Sequence, residues 1–115
     1  MLSKEFRIRK DKEIKTILGK GKGFYSKVFG IKFLPNQAAV SRFCFVVSNK
    51  VSKQATKRNT LKRKVNEIIR LNLKKIKPGI DLVIMARTGA DILSKDYKEL
   101  ERELFWALNK SGLTK

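Results

Sequence analysis

The sequence predicts a single α/β (α+β) domain, a two-layer sandwich in which one central sheet packs against helices. Alternating apolar residues predict strands over 24–34 and 42–48. A helical apolar period over 55–76 predicts a long amphipathic helix, and the apolar run at 80–87 predicts a third strand. The order of elements is therefore α-β-β-α-β-α. With 115 residues, 42% of them hydrophobic, the chain has room for one modest core.

The first elements are short. A basic N-terminal segment over 1–10 belongs to the single domain predicted to span 1–115. Asp11 is expected to begin a helix that ends near Leu18, because the apolar residues between them follow a helical period. The GlyLysGlyLysGly segment at 19–23 is expected to be a turn.

The first two strands have two distinct faces, because successive side chains of a strand point to opposite sides. The predicted core-facing residues are Phe29, Ile31, Phe33, Phe43, Phe45 and Val47. The predicted residues of the opposite face are Val28, Gly30, Lys32, Cys44, Val46 and Ser48.

The long helix is apolar on one face and polar on the other. Its apolar face comprises Leu61, Val65, Ile68, Ile69, Leu73 and Ile76. Its opposite face comprises Asn59, Arg63, Asn66, Arg70 and Lys74. Arg58 and Lys62 lie along the flank, and the guanidiniums of Arg58 and Arg63 are expected to lie largely in water. Because guanidinium matches phosphate oxygens in pairs and Asn both donates and accepts, this face is typical of a nucleic-acid-binding helix.

The end of the chain contains one more helix. LysProGly at 77–79 should end the preceding helical segment before the third strand. Ser94 is expected to cap the last helix, and Gly112 is expected to end it.

The charge of the chain is strongly basic and unevenly distributed. The formal net charge is +18, and residues 1–77 hold 22 Lys and Arg against four acids, whereas 78–115 hold six of each. This distribution predicts a polyanionic partner whose binding weakens as salt rises. No apolar run is long enough to span a membrane, and no apolar signal segment is evident near the start, so a cytoplasmic protein is expected.

The sequence offers few groups for catalysis. It has no His and one Cys, so a zinc site is not expected, and its acids do not suggest a catalytic cluster. We therefore expect no active site within the protein and no cofactor bound by the protein alone.

A specific resemblance rests on residues 48–63. ArgAsnThrLeuLysArg at 58–63, with Ala55 before it and SerAsnLysVal at 48–51, resembles the signature of the bacterial ribonuclease P protein component. The resemblance covers nearly all of residues 5–112. Asn49 stands where that family usually has Lys, and Asn66 stands where it usually has Arg.

The resemblance implies a subunit of a ribonucleoprotein that removes the 5′ leader from precursor tRNA. The partners would be a catalytic RNA, which uses Mg²⁺ for the chemistry, and precursor tRNA, with one protein per RNA and no membrane. The residues implied to bind RNA are Lys50, Lys53, Lys57, Arg58, Asn59, Lys62, Arg63, Asn66 and Arg70. The implied fold is ribosomal-protein-like, with a left-handed crossover in its β-α-β unit.

The resemblance also implies a leader cleft between the first helix and the open face of the sheet. Its lining would be Ile14, Leu18, Gly30, Lys32, Val46 and Ser48. Many relatives carry aromatic residues at the positions of Ile14 and Leu18, where nucleobases could pack. Both residues are aliphatic in this chain, so stacking of bases on this wall is not expected.

Two other classes of protein fit the composition. A structural RNA-binding protein, such as a ribosomal protein or a basic chaperone, would have the same size and charge. Only the spacing of ArgAsnThrLeuLysArg on a helix after two strands separates it from the first hypothesis. A DNA-binding protein is disfavoured because the chain lacks a recognisable recognition-helix turn.

Overall fold

A computed structural model of the chain describes residues 3–89 and 91–115. The α-helices are α1 (Asp11–Lys20), α2 (Ala55–Leu71) and α3 (Tyr97–Lys110). The strands are β1 (Lys22–Tyr25), β2 (Phe29–Pro35), β3 (Arg42–Val46) and β4 (Ile80–Ala86). Short 3₁₀ turns occupy Lys4–Phe6, Leu73–Lys75 and Ile92–Ser94. The predicted order of helices and strands is confirmed, with β1 as an addition. None of the described helices is long and apolar enough to cross a membrane.

The strands form one mixed sheet in the order β1-β2-β4-β3. β2 pairs antiparallel with β1 and β4, and β3 pairs parallel with β4. Parallel neighbours cannot be joined by a tight turn, so the chain returns from β3 to β4 through α2. The expected β-α-β unit is therefore present, and the left-handed sense of its crossover stays a prediction.

The segment predicted as one strand over 24–34 is a hairpin. Ser26 closes it, because its backbone N–H donates to the Phe29 carbonyl at 2.8 Å and its hydroxyl accepts from the Phe29 N–H at 3.0 Å. Val28 lies in this turn and is buried in the main core, so its predicted place on the opposite face is wrong. The alternation runs through the turn without Gly or Pro and therefore does not reveal it.

The expected turn over 19–23 is divided between a helix and a strand. α1 continues to Lys20, and the chain enters the sheet directly after Gly21. A Cβ at Gly21 would lie 2.5 Å from the Ile17 carbonyl oxygen and 2.9 Å from the Phe33 carbonyl oxygen. Only glycine fits at this close approach of helix and strand.

One face of the sheet packs against α2 and α3 and forms the main core. The predicted inward residues Phe29, Ile31, Phe43 and Phe45 are buried there, whereas Phe33 is only partly buried. The helices contribute Leu61, Val65, Ile68, Ile69, Leu100, Leu104 and Leu108. The alternation of the strands is thus confirmed, and so is the apolar face of the long helix as far as Ile69. The predicted helical end at 76 is wrong, because α2 ends at Leu71, and Leu73 and Ile76 reach the core from the segment that follows it.

The cap of α3 differs from the prediction. The Asp96 carboxylate accepts a hydrogen bond from the Glu99 N–H at 2.9 Å, and the Glu99 side chain accepts one from the Asp96 N–H at 3.2 Å. These reciprocal bonds form a capping box. Ser94 instead lies in the 3₁₀ turn before the helix, so its predicted role as the cap is wrong.

The opposite side of the sheet, called here the second face, is only partly covered. α1 packs across β2 and β4 on this face, where Ile17 and Val83 are buried together with Ile8. Its first turn is joined to β3 through Glu13 and Arg42. The helix therefore covers one end of the second face and leaves the other end open.

Candidate RNA interface

The polar face of α2 points away from the core, as its periodicity predicts. Asn59, Arg63 and Arg70 are exposed, and Asn66 is half-buried. The helix thus presents amide and guanidinium groups along one accessible stripe, which suits phosphate and sugar contacts. The binding of RNA by these residues stays a prediction.

Arg58 differs from Arg63 in its surroundings. Its Nη1 donates a hydrogen bond to the Ser52 carbonyl oxygen at 2.8 Å, and its side chain is half-buried. The expectation of a guanidinium largely in water is therefore wrong for Arg58, whereas Arg63 is exposed. Arg58 fixes the loop before α2 in addition to contributing its charge.

Arg70 is paired with Glu67, the acidic residue of α2. Its Nε donates to Glu67 Oε2 at 3.1 Å, and its Nη2 contacts Oε1. The hydrogen bond from Arg70 lowers the pKa of Glu67, and the same bond raises the pKa of Arg70. An RNA phosphate at Arg70 would therefore compete with the Glu67 carboxylate. A phosphate at Arg63 would meet no such competition, because none of the ion pairs among the described residues involves Arg63.

Lysines extend the basic face of α2 on both sides. Lys50 and Lys53 are exposed in the loop before the helix, and Lys57 is exposed in its first turn. Lys62 is half-buried on the flank of α2. Burial raises the pKa of the Cys44 thiol on β3, and the charge of Lys62 opposes that shift. Because α2 packs against β3, the edge strand of the sheet, and Cys44 of β3 lies on the second face, the basic face of α2 and the second face lie on either side of this edge.

The strand register arranges the second face in rows. The open row joins Tyr25, Gly30, Met85 and Val46 across the four strands. The neighbouring row joins Gly23, Lys32, Val83 and Cys44. The predicted cleft residues Gly30, Lys32 and Val46 therefore lie on the same face of the sheet.

The other predicted cleft residues lie around this surface. Ile14 and Leu18 of α1 are half-buried and pack against the cluster that contains Ile17 and Val83. Each of them therefore anchors α1 to the sheet and keeps part of its surface accessible. Ser48 is exposed and lies two residues beyond the end of β3, at the margin of the surface.

Tyr25 also belongs to this surface, although no pattern in the sequence indicates it. Its ring lies over Gly30, where an added Cβ would be 2.8 Å from the ring. Gly30 is thus buried beneath Tyr25 and does not line the surface directly. Tyr25 itself is 54% exposed, and the guanidinium carbon of Arg87 lies 5.5 Å from the ring centroid. Recognition of the turn at Ser26 would have placed Tyr25 opposite Gly30.

Lys32 lies across a second glycine on the same face. An added Cβ at Gly23 would be 3.2 Å from Lys32 Cε, so the lysine stem runs over β1. The two glycines let a lysine and an aromatic ring lie against the sheet in adjacent rows. An aromatic ring beside cations on an open sheet is typical of surfaces that bind unpaired nucleotides.

An ion-pair network joins α1 to the covered end of the second face. Arg42 donates to the Asp81 carboxylate from Nε at 2.9 Å and from Nη2 at 2.6 Å, and Nη2 also lies 2.7 Å from Glu13 Oε2. Asn36 Nδ2 donates to Asp81 at 2.9 Å. Burial disfavours the charge of Asp81, but the hydrogen bonds from Arg42 and Asn36 outweigh it and lower the pKa. The network therefore attaches α1 to β3 and β4 through hydrogen-bonded ion pairs.

The described carboxylates do not gather into a metal-binding cluster. Within 3–89 and 91–115, no three His, Cys, Asp or Glu side chains lie close enough together to hold a metal ion. Glu13 and Asp81 approach one another only through Arg42, whose guanidinium is bound to both.

The sequence matches ribonuclease P proteins over almost its full length. The ribonuclease P family profile covers residues 2–112. A ribonuclease P protein component from Clostridium botulinum is 39% identical over 111 residues, which make up 96% of this chain and 97% of that protein. The corresponding protein from Picosynechococcus is 36% identical over 108 residues, covering 92% and 93% of the two chains.

Solved structures have the same arrangement of one mixed sheet and three helices. The RNase P protein from Thermotoga maritima superposes with a TM-score of 0.83 at 31% identity, covering 90% of this chain and 96% of that one. The Staphylococcus aureus RNase P protein superposes with a TM-score of 0.85 at 22% identity, covering 96% and 98%, a likeness that bears on the fold alone. The chain therefore belongs to the family of bacterial ribonuclease P protein components.

Proposed function

We propose that this protein is the non-catalytic subunit of ribonuclease P and holds the 5′ leader of precursor tRNA while the RNA subunit cleaves it. An RNA partner follows from the family; precursor tRNA as substrate and one protein per catalytic RNA are proposals. The proposed place of action is the cytoplasm, where precursor tRNA is made in bacteria. The observation that carries the proposal is that two surfaces suited to RNA, one on α2 and one on the second face, lie on either side of the edge strand β3, against which α2 packs.

The first surface is the basic face of α2, which we assign to the catalytic RNA. Asn59 and Arg63 project from one exposed stripe, and exposed lysines of the preceding loop continue it. A rigid helix holds these groups at fixed spacing, which suits contact with the phosphate backbone of a folded RNA. The net charge of +18 would reduce repulsion between the catalytic RNA and the tRNA.

The second surface is the open part of the second face, which we assign to the leader. Its two rows offer an exposed tyrosine, the apolar Met85 and Val46, and the cation of Lys32. Unpaired nucleotides present a base that can stack and a phosphate that carries charge. The tyrosine ring and the apolar side chains suit the base, and the lysine suits the phosphate. Mature tRNA has no leader, so this surface would favour the precursor over the product.

The chemistry is assigned to the RNA subunit. Hydrolysis of a phosphodiester needs an activated water molecule, and Mg²⁺ bound by the RNA would supply it. The chain contains no His, and Glu13 and Asp81 are both held by Arg42. The protein would therefore bind, orient and screen charge without a cofactor of its own.

A cleavage assay at low Mg²⁺ tests this proposal. Precursor tRNA is incubated with a bacterial-type catalytic RNA alone, with the RNA-free protein alone, and with both together. We expect no cleavage by the protein alone and the largest gain from the protein where Mg²⁺ is scarcest, because phosphate screening then limits the reaction. Cleavage by rigorously RNA-free protein, or the absence of any gain at low Mg²⁺, would contradict the proposal.

A further inference from the structure

A hollow of about 580 Å³ lies beside the turn between β1 and β2 and shares Tyr25 with the surface assigned to the leader. We call it the β1 hollow and define it by Tyr25, Lys27, Arg87, Arg102, Glu103 and Trp106. Its volume falls within the range of about 300–1,000 Å³ that small-ligand sites occupy. Tyr25 and Trp106 are 54% and 50% exposed, and a cation lies near each ring, Arg87 at Tyr25 and Lys110 at Trp106.

The two aromatic residues reach the hollow from opposite sides of β1. Phe24 points toward the main core and contacts Trp106 of α3, with 5.9 Å between the ring centroids. Tyr25, the next residue, points to the second face and covers Gly30. The hollow therefore passes around the end of an edge strand and is continuous at Tyr25 with the proposed leader cleft.

The charge of the hollow complements a phosphate chain. Lys27, Arg87 and Arg102 are exposed, whereas Glu103 is the only acidic residue of the lining. The guanidinium of Arg87 is oriented by a hydrogen bond from Nη1 to the Ser26 carbonyl at 2.7 Å. Among the described residues, Arg87 and Arg102 take part in no salt bridge.

We propose that the β1 hollow binds unpaired nucleotides of the leader that lie beyond the cleft, with a base stacked on Trp106 and phosphates held by Arg87 and Arg102. The inference rests on the proposed function, because it assumes that the leader first binds along the open row of the second face. A strand that crosses this row from Val46 toward Gly30 arrives at Tyr25 and then at the hollow. Exposed aromatic rings beside arginine are the elements that bind single strands without reading their sequence.

The test compares two precursor tRNAs that differ in leader length. The short leader has about 4 nucleotides and the long leader about 12, lengths that span the site sizes of small single-strand-binding domains. Affinity is measured for the assembled ribonucleoprotein at fixed salt. We expect Trp106→Ala to weaken binding of the long-leader precursor about tenfold, the effect of one lost base stack, and to leave the short-leader precursor unchanged.

A second variant separates binding from folding, because Trp106 also packs on Phe24. Arg102→Glu changes an exposed side chain and should reproduce the selective loss for the long leader with an unchanged melting temperature. Lys98→Glu is the matched control, since Lys98 is exposed one turn earlier on α3 and does not line the hollow. We expect Lys98→Glu to show no selective loss for the long leader.

Trp106 is the only tryptophan of the chain and therefore reports directly on the hollow. We expect its fluorescence to be quenched when the long-leader precursor binds, and not when the short-leader precursor binds. If the wild-type protein supports cleavage at low Mg²⁺ but neither Trp106→Ala nor Arg102→Glu distinguishes the two leaders, the inference is wrong and the proposed function stands. If the protein gives no gain in cleavage, the proposed function itself fails.

Discussion

Arg42 on β3 and Glu13 on α1 form an ion pair, with 2.7 Å between Nη2 and Oε2. The same guanidinium holds Asp81 on the neighbouring strand, so one side chain joins α1 to two strands of the sheet. Apolar packing of Ile17 on Val83 provides the other attachment. Because α1 forms one wall of the proposed leader cleft, the position of that wall depends on both contacts.

Glu13→Gln tests whether the ion pair positions the wall. The amide retains the shape of the side chain but loses its charge, and in this partly exposed pair we expect a cost of about 0.5 kcal/mol in stability. The affinity of the ribonucleoprotein for precursor tRNA should fall about twofold, and that for mature tRNA should not change. Glu5→Gln, at an exposed residue outside the network, is the control. Equal losses for precursor and mature tRNA would show that Glu13 acts only through the general charge.

Asp81 is expected to make the fold sensitive to acid. Burial disfavours its charge, but hydrogen bonds from Arg42 and Asn36 prevail, so its pKa is lower in the folded than in the unfolded chain. Its stabilisation is therefore fully present above the unfolded pKa of about 3.9 and is lost as the pH falls through the folded pKa. We expect Asp81→Asn to lower the free energy of unfolding by about 2 kcal/mol at neutral pH.

Denaturant unfolding at a series of pH values measures this contribution. The wild-type free energy of unfolding should decline more steeply below about pH 4 than that of Asp81→Asn, because the variant has no carboxylate to protonate at this position. Parallel curves for the two proteins would mean that Asp81 is not coupled to folding.

Arg63 and Arg58 should respond differently to truncation, although both lie in the same signature. Arg63→Ala removes an exposed guanidinium and should weaken binding of the catalytic RNA by about 1–3 kcal/mol without changing the melting temperature. Arg58→Ala should also weaken binding, but it removes the hydrogen bond to Ser52 as well, so the protein should lose about 1 kcal/mol of stability. RNA binding at fixed salt and thermal unfolding measure the two effects. A lower melting temperature for Arg63→Ala with unchanged RNA affinity would assign Arg63 a structural role.

The helices and strands that bury a single face were predictable from the sequence, because their apolar residues recur at a regular spacing. The apolar face of α2 and the alternation of Phe43 and Phe45 reflect burial on a single side, and that constraint is visible in the residues themselves. The polar stripe of α2 follows from the same period. Its function required the resemblance, because a solvated basic helix has the same spacing.

Other features depend on partners that are distant in sequence. Nothing near Arg42 indicates that it would meet Glu13, 29 residues away, and Asp81, 39 residues away. Tyr25 was missed because its position depends on a turn at Ser26 that carries no Gly or Pro. Contacts made by chain reversal and by strand register have no local signal, so the hairpin and the ion-pair network required the structure.

Phe29 and Phe33 point to the same face of β2 but should differ in their effect on stability. Phe29 is completely buried and contacts the ring of Phe45, with 6.0 Å between the centroids, whereas Phe33 is only partly buried. We expect Phe29→Ala to cost about 3–5 kcal/mol, enough to threaten a small domain, and Phe33→Ala to cost clearly less. Denaturant unfolding of the two variants provides the measurement. Equal costs would contradict the burial described for the edge of the core.

Lys32 tests the assignment of the second face to the leader. Its stem lies over Gly23 and its side chain is half-buried on the face opposite the main core. Removal of the ammonium should therefore leave the fold intact and weaken the binding only of a ligand that reaches this face. We expect Lys32→Ala to reduce the affinity of the ribonucleoprotein for precursor tRNA by about 1 kcal/mol and to reduce the salt dependence by about one phosphate contact. The affinity for mature tRNA should not change, because mature tRNA has no leader.

The control must remove the same charge from another surface. Lys77→Ala does so, since Lys77 is exposed in the segment before β4 and lies on neither proposed RNA surface. If a general electrostatic field explained the loss of affinity, both variants would weaken the binding of precursor and mature tRNA alike. Long-range attraction depends on net charge and not on the position of one lysine. A loss confined to Lys32→Ala and to the precursor requires direct contact between Lys32 and the leader. An equal loss of affinity for both tRNAs would mean that the leader does not bind this face, and α2 would be the remaining candidate RNA surface.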